Sequence, residues 1–439
     1  MRTLDEGPLR RAVLDVALPA TWFQLLIFAN NFVDYAWLQI LGDEAAAGQS
    51  QGWTVFWILA SLGQIFSTGI TAVVARRVGE RRPDAAAHAA THGLRAALLS
   101  ALVVAVAGWF LVPWAAAASA SSPRAAAYTV DYLRTLCGGA PLMFLFYACE
   151  GTFKGHGDMR RPLRALLTAV LLNAALDPLL IFTFKLEVLG AALATVIAFG
   201  VTGGILCLAG TRRKWIVGGL GGLDLQVFGR VLKIGAPVSI HGIVFSFVYI
   251  FIFRETNLAG GDAAASALGL GLRLEGVAYQ ASVGFAAAAA AVVGQCLGAR
   301  KPGRAAAGAW TAVRIGAWFA GIWGFVILVL PESVIGWFSS SDLAALYATD
   351  YCRIVAVSVA FTAVEIILEG AFSGAGDTRP ALFLGLPLTV ARIPVAMFAV
   401  RVLGMGVAGV FWALTWTSVL RGLAMALWFA RGRWAGGRA

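Results

Sequence analysis

Two stretches far apart in this chain spell nearly the same words. Glu150-Gly-Thr-Phe-Lys-Gly-His-Gly-Asp158 returns as Glu369-Gly-Ala-Phe-Ser-Gly-Ala-Gly-Asp377, a separation of 219 residues (377 − 158). The same separation relates Tyr132 to Tyr351, Gly42-Asp43 to Gly261-Asp262 and Gly79 to Gly298, while Pro19 and Pro237 lie 218 apart. A chain of 439 residues that repeats at half its length folds as two similar bodies.

Composition decides the medium in which those bodies sit. Hydrophobic residues make up 59%, charged residues 13%, and the mean hydropathy is +0.79. A soluble protein of this size needs far more surface charge. Each half divides into six apolar stretches of the length that crosses about 30 Å of hydrocarbon as a helix. They fall near 13–39, 52–75, 90–114, 128–150, 163–184 and 188–210, then 231–254, 264–293, 308–331, 346–370, 381–401 and 405–430. The expected fold is an all-α integral membrane protein with twelve transmembrane helices in two six-helix bundles related by a parallel internal repeat. Residues 1–11 lack the short apolar core and cleavage site of a removable signal peptide, so the first span is expected to stay.

Lys and Arg number 34 against 23 Asp and Glu, a net charge of +11. The basic residues cluster in alternate breaks between spans, at Arg10-Arg11, Arg76 to Arg82, Lys154 to Arg161, Arg212 to Lys214, Arg300 to Arg304, Arg379, and Arg431 with Arg433. That pattern sets orientation in a membrane rather than binding to nucleic acid, and it places both termini in the cytoplasm. The lobes are expected at 1–210 and 230–439, joined by a cytoplasmic linker at 211–229. A multi-pass protein of a bacterial or archaeal cytoplasmic (inner) membrane fits these features.

Duplicated bundles of this kind are the architecture of transporters, which rock two bodies about a site between them. No G-x-x-x-x-G-K-[ST] sequence is present, so an ion gradient rather than bound ATP would drive any uphill step. No D-x-x-x-D cluster suggests a membrane-embedded transferase, and an enzyme is not expected. The five cysteines lie singly and read as packing residues, and of the histidines only His88 and His92 stand four apart, with no cysteine or carboxylate to complete a metal site. No cofactor is expected.

A carboxylate inside a membrane span costs about 2.5–3.5 kcal/mol on insertion scales, so each one needs a reason. Asp34 lies in the first span, Asn173 and Asp177 share one face of the fifth, and Thr195 in the sixth can add a hydroxyl. Pro178 leaves a helix carbonyl without its donor beside Asp177. These oxygens suit a hard monovalent cation, Na+, or a shared proton; a hydrogen-bond network that only joins helices is the alternative. The repeat maps Asp34 onto Phe253, Asn173 onto Arg392 and Asp177 onto Ala396, so the set exists in one half alone. Arg273, Glu275, Glu365 and Arg392 form a different set in the second half, either a charged wall facing substrate or neutralising pairs within the bundle. Glu150 and Glu369 stand beside the Gly-x-Gly-Asp turns as gate or anchoring residues. Asp158 and Asp377 are expected to cap the helices that follow, with the turn glycines at positive φ.

These motifs together resemble the multidrug and toxin extrusion (MATE) family, from Ala17-Leu-Pro19 and Asn31 to Asp34, through the paired turns, to Gly294-Gln-Cys-Leu-Gly-Ala299. The resemblance is to its DinF-like branch, whose cation site matches Asp34, Asn173, Asp177 and Thr195. The acid that the NorM-like branch carries in its seventh helix is missing from Ile234 to Phe253. The resemblance implies a monomeric antiporter that exports amphipathic, often cationic organic compounds in exchange for Na+ or H+ by alternating access. Its partners would be small organic cations and membrane lipid. A lipid-linked saccharide flippase of the same superfamily is the alternative.

Overall fold

The computed structural model describes residues 4–41, 43–119, 123–217, 222–335 and 342–436; the side chains at 31–32, 34–36, 38–39, 41, 43–55, 115, 117–119, 123–125, 334 and 342 lie outside the description. Every regular element among the described residues is helical. The first half holds α1 (Leu9–Leu41), α2 (Asp43–Gly79), α3 (Pro83–Ser119), α4 (Pro123–Gly138), α5 (Ala140–Gly155), α6 (Arg160–Pro178) and α7 (Glu187–Arg212). The second holds α8 (Leu225–Gly298), α9 (Pro302–Val329), α10 (Pro331–Ile335), α11 (Asp342–Ala375), α12 (Leu386–Val390), α13 (Arg392–Arg401) and α14 (Gly406–Ala430).

Among the described residues ten helices are long and apolar enough to cross a membrane, and the bent pair α4–α5 makes an eleventh crossing. At 74 residues, α8 is two helices joined at Gly261, which brings the crossings to twelve. Gly261 sits at φ 70°, ψ −166°, a conformation that a side chain would strain. Its repeat partner Gly42 lies outside the described residues.

Three spans that hydropathy presents as unbroken are interrupted. The fourth bends by 51° between α4 and α5, where Pro141 cannot donate to the preceding turn. Gly139 at that bend also lets α7 come close, for a Cβ there would lie 2.4 Å from Val196. In the fifth, α6 ends on Pro178 and passes into a π-helical turn at Leu179–Thr183. The eleventh begins with a π-helical turn at Ala381–Gly385 and breaks at Ala391, before α13. Proline explains each interruption, because it removes one donor from the ladder.

Two apolar cores correspond to the two bundles. One gathers Phe66, Leu136, Phe144, Phe153 and Ile181. The other gathers Phe285, Phe372, Phe411 and Phe429, and it also takes Val13, Val16, Ala17 and Ala20 from α1. That small-residue stripe at helical spacing fits the alanine run at 286–291 of α8. The start of α1 therefore packs on the opposite bundle.

The bundles meet closely at the end that carries the basic breaks. A Cβ on Gly69 would stand 2.3 Å from the Val231 carbonyl oxygen, and one on Gly235 would stand 2.0 Å from that of Ile65. Gly79 and Gly298 face Gln295 and Arg76 in the same way. Such backbone-to-backbone approach in a membrane requires residues without side chains.

A strap at residues 4–7 crosses this seam. The Gln295 side chain, on α8, accepts from the Leu4 amide at 2.8 Å and donates to the Gly155 carbonyl at 3.0 Å. Lys301 binds the Asp5 carboxylate at 2.7 Å, Arg304 donates to the Gly7 carbonyl at 2.7 Å, and Arg81 of the first half binds Glu6. Replacing Gln295 by Ala is expected to cost about 1–3 kcal/mol, because it leaves the buried Gly155 carbonyl without that donor. Hydrogen exchange at the Leu4 amide should accelerate, and unaltered protection there would show that Gln295 does not hold the strap.

Candidate functional site

The polar set of the first half is built on the last two turns of α6. Asn173 and Asp177 are both fully buried, and the Asn173 amide nitrogen donates to Asp177 Oδ1 at 3.5 Å. The Asn173 carbonyl oxygen has no hydrogen-bond partner among the described residues. A buried acceptor of that kind is costly unless something binds it. The π-helical turn after Pro178 widens the helix immediately beyond Asp177.

Thr195 is half-buried on α7, which packs against α6. Its hydroxyl donates to the Ala191 carbonyl at 3.0 Å, so its oxygen keeps accepting capacity. Asp34 belongs to α1, which also packs against α6, but its side chain lies outside the described residues. Asn173 and Asp177 thus offer amide and carboxylate oxygens on α6, and Thr195 a hydroxyl oxygen on the helix packed against it, the donor chemistry of hard cations.

The second half places other groups at the equivalent positions. Thr195 maps onto Leu414 (414 − 195 = 219), in addition to the three exchanges noted above. Arg392 is buried and donates to Tyr249 Oη at 3.1 Å, Thr417 Oγ1 at 3.3 Å and Ser418 Oγ at 2.8 Å. It also lies over the rings of Phe245 and Tyr249, at 5.5 and 5.6 Å. A fixed positive charge therefore occupies the position where the first half holds Asn173.

The other charges of this half pair across helices, with partners that the sequence left unidentified. Glu365 binds Arg421 of α14, both of them buried. Glu275 accepts from the Tyr351 hydroxyl at 2.9 Å, whereas Arg273 is exposed. Glu365–Arg421 is thus a neutralising pair within the bundle, and Glu275 is held by a tyrosine hydroxyl. Glu369 lies 3.4 Å from His241 Nδ1. Arg421 and His241 are charged or titratable groups within apolar runs, and that signal alone marks them.

At the basic end the turn residues anchor the chain. Glu150 binds Lys154 at 2.7 Å and accepts from Ser67, tying α5 to α2. Gly157 and Gly376 take φ of 75° and 76°, as the repeated turn requires. Asp158 binds Arg161 and accepts from its backbone amide at 3.4 Å, so it does hold the first turn of α6. Asp377 instead takes both ends of the Arg379 guanidinium, at 2.6 and 3.0 Å. The two turns differ because Pro380 stands where Arg161 offers its amide (380 − 161 = 219), and a proline has no N–H to give.

His156 stacks on Trp215 at 3.8 Å, and this burial holds its pKa down at about 4. The linker is docked on α3, where His88 binds Asp224 at 2.9 Å and lowers its pKa. The next turns add His92, which accepts from the Asp224 amide at 2.9 Å, and Arg95, which donates to the Gly222 carbonyl at 2.9 Å.

The family model described as MatE matches this chain at residues 19–179 and 237–398, once in each half. A probable multidrug resistance protein NorM of Thermotoga maritima is 23% identical, over 98% of this chain and 94% of that one. The multidrug export protein MepA of Staphylococcus aureus is 22% identical, over 96% and 94%. A crystal structure of MATE in the straight conformation superposes with a TM-score of 0.91 at 22% identity, covering 98% of this chain and 96% of that one.

Proposed function

The chain belongs to the MatE family, and on that footing we propose that it is a multidrug efflux transporter of the cytoplasmic membrane. It exchanges amphipathic, often cationic organic compounds for Na+ or H+, and it makes no covalent change in what it carries. The observation that carries this reading is the fully buried Asn173–Asp177 pair, in which the Asn173 amide nitrogen donates to Asp177 Oδ1 while Asn173 Oδ1 has no hydrogen-bond partner among the described residues. Asp34 and Thr195 complete the ion site in this reading, and the ion is cargo rather than a resident cofactor. Proton occupancy would serve the same end, since a carboxylate in a low-dielectric site is costly to ionise alone.

The lobes at 1–210 and 230–439 rock about the seam, with 211–229 as the link between them. The close glycine contacts at the basic end support a conformation shut at that end, which this reading takes as the cytoplasmic side and the side of both termini. Arg392, Glu275 and the Glu365–Arg421 pair keep the second lobe in shape and line its approach to substrate. Glu150, Asp158, Glu369 and Asp377 hold the cytoplasmic turns through which the gate must hinge. The unit that transports is the single chain among lipids.

Everted vesicles or proteoliposomes preloaded with ethidium test the function. Imposing a Na+ or H+ gradient should drive the dye across, and collapsing each gradient separately identifies the ion. Dye movement that ignores both gradients would refute antiport. The orientation has its own check. A membrane-impermeant thiol reagent added outside cells should label cysteines placed at Glu187 and Asp262, and should reach those at Arg82 and Arg161 only after the membrane is opened. The opposite pattern would invert the topology.

A further inference from the structure

One buried histidine has no part in the ion site of the first bundle. His241 lies on the first limb of α8, with Nε2 3.0 Å from Thr389 Oγ1 and Nδ1 3.4 Å from the Glu369 carboxylate. Arg421 Nη2 stands 3.5 Å from the same Nε2 and also binds Glu365.

The repeat makes this arrangement distinctive. In the first bundle Glu150 is held by Lys154 and Ser67. The residues 219 positions on are Ser373 (373 − 154) and Ala286 (286 − 67). Ser373 gives its hydroxyl to the backbone carbonyl of Glu369 at 2.9 Å, not to its carboxylate. A permanent cation beside the first glutamate is thus exchanged for an imidazole beside the second, the side chain that gains and loses charge near neutral pH.

Hydrogen-bond inventory gives this cluster two networks on one geometry. A guanidinium only donates, an ionised carboxylate only accepts, and a neutral imidazole does one of each. In the first network Nδ1–H donates to Glu369 and Nε2 accepts from Arg421. In the second, Nε2–H donates to Thr389, whose own hydrogen goes to the Gly385 carbonyl at 2.8 Å. The proton between Nδ1 and Glu369 is common to both. The two networks differ by the single proton on Nε2, taken from or returned to water.

We propose that His241 and Glu369 form a second proton-binding site, in the C-terminal bundle, whose occupancy biases the seam between the bundles. Protonation removes the acceptor that Arg421 uses on His241 and sets two cations side by side, so Arg421 must rely on Glu365 alone. The adjacent residue on α8 carries the effect to the seam. A Cβ on Gly242 would lie 3.4 Å from Ser61 Oγ of α2, and Gly235 two turns earlier rests on the Ile65 backbone. The other charged and titratable groups in the cluster are Tyr279 and Glu275 on the second limb of α8, Tyr249 on the first, and Arg392 on α13. Among the described residues none of these bonds to the His241 ring, and its ionisable partners there are Glu369 and Arg421. This inference rests on the alternating-access reading above.

The test reads conformation instead of transport. Nitroxide labels at D84C on α3 and A307C on α9, with the native cysteines replaced by alanine, report the basic-end separation in lipid nanodiscs. In a background carrying Asp34→Asn and Asp177→Asn, the two carboxylates of the proposed ion site no longer titrate. The distance distribution should still shift between pH 8.5 and pH 5.5. Adding His241→Gln should abolish that shift. Ser373→Lys, which restores the first bundle's fixed counter-ion, should abolish it while keeping His241 and its packing. A distribution that ignores pH in the double-Asn background overturns the proposal, and so does a shift that survives both added changes. Ethidium efflux by the wild type judges the transporter reading separately, since the distance measurement needs no substrate.

Discussion

Asp177→Asn should leave the protein in the membrane and abolish ion-driven efflux. The substitution keeps the volume and removes the one charge that the α6 pair can offer a cation. Coupling requires that ion and drug favour different states, typically by about 1–3 kcal/mol, or roughly 5–150-fold in affinity. In the wild type, adding Na+ or lowering pH should shift drug affinity within that range. In the variant the shift with Na+ should vanish, and Asn173→Ala should weaken it; a pH response left in the variant would belong to His241 and Glu369. The second bundle cannot rebuild this cation site, because it places Ala396 at the equivalent of Asp177 and the cation of Arg392 at that of Asn173. A guanidinium held by three hydroxyls repels a coupling cation instead of binding it. Asp34→Asn should behave like Asp177→Asn. Glu275→Gln and Glu365→Gln should change substrate affinity or expression while leaving an ion response. If these two lose the shift and Asp177→Asn retains it, the ion site lies in the second bundle.

Gly298→Val should force the bundles apart at the basic end and reduce efflux about tenfold or more. A Cβ at Gly298 would stand 2.1 Å from the Arg76 carbonyl oxygen, and one at its repeat partner Gly79 would stand 2.0 Å from that of Gln295. Non-bonded atoms settle at about 3.5–4.0 Å, so the helices must separate by at least about 1.4 Å. Backbone cannot rotate out of the way as a side chain can. Overpacking typically costs about 1–3 kcal/mol, comparable with the few kcal/mol that separate two conformations of a transporter. The penalty falls only on the state that is shut at this end, so the population tips toward the open one. Labels at D84C and A307C should report a longer mean distance, and Gly79→Ala should act in the same direction. An unchanged distance together with normal efflux would show that the seam has room this geometry denies.

Much of the machine is legible before any coordinates. The 219-residue repeat, the lengths of the apolar runs and the alternation of basic breaks define two six-helix bundles, because lipid allows few ways to satisfy a spanning backbone. The Asn173–Asp177 face also follows from their spacing of four on one helix. Interruptions within spans are less legible, since hydropathy averages over them. The 51° bend at Gly139 and the π-helical turns beside Pro178 and Pro380 show only as single prolines or glycines in an apolar run.

Sequence alone thus determined what is local or periodic: the spans, their duplication, the glycines of the repeated turns, and which half keeps the acidic set. Tertiary structure decided which partner each charge takes. Glu365 lies 56 positions from Arg421, and His241 lies 128 from Glu369. Those pairings depend on how each helix is rotated and where it crosses its neighbour, and no periodicity along one helix encodes the angle of another. The same holds for the strap at residues 4–7, whose Asp5 finds Lys301 only because the basic ends of the two bundles close together. Short-range order is written in neighbouring residues, whereas the choice of a long-range partner is made when the helices pack.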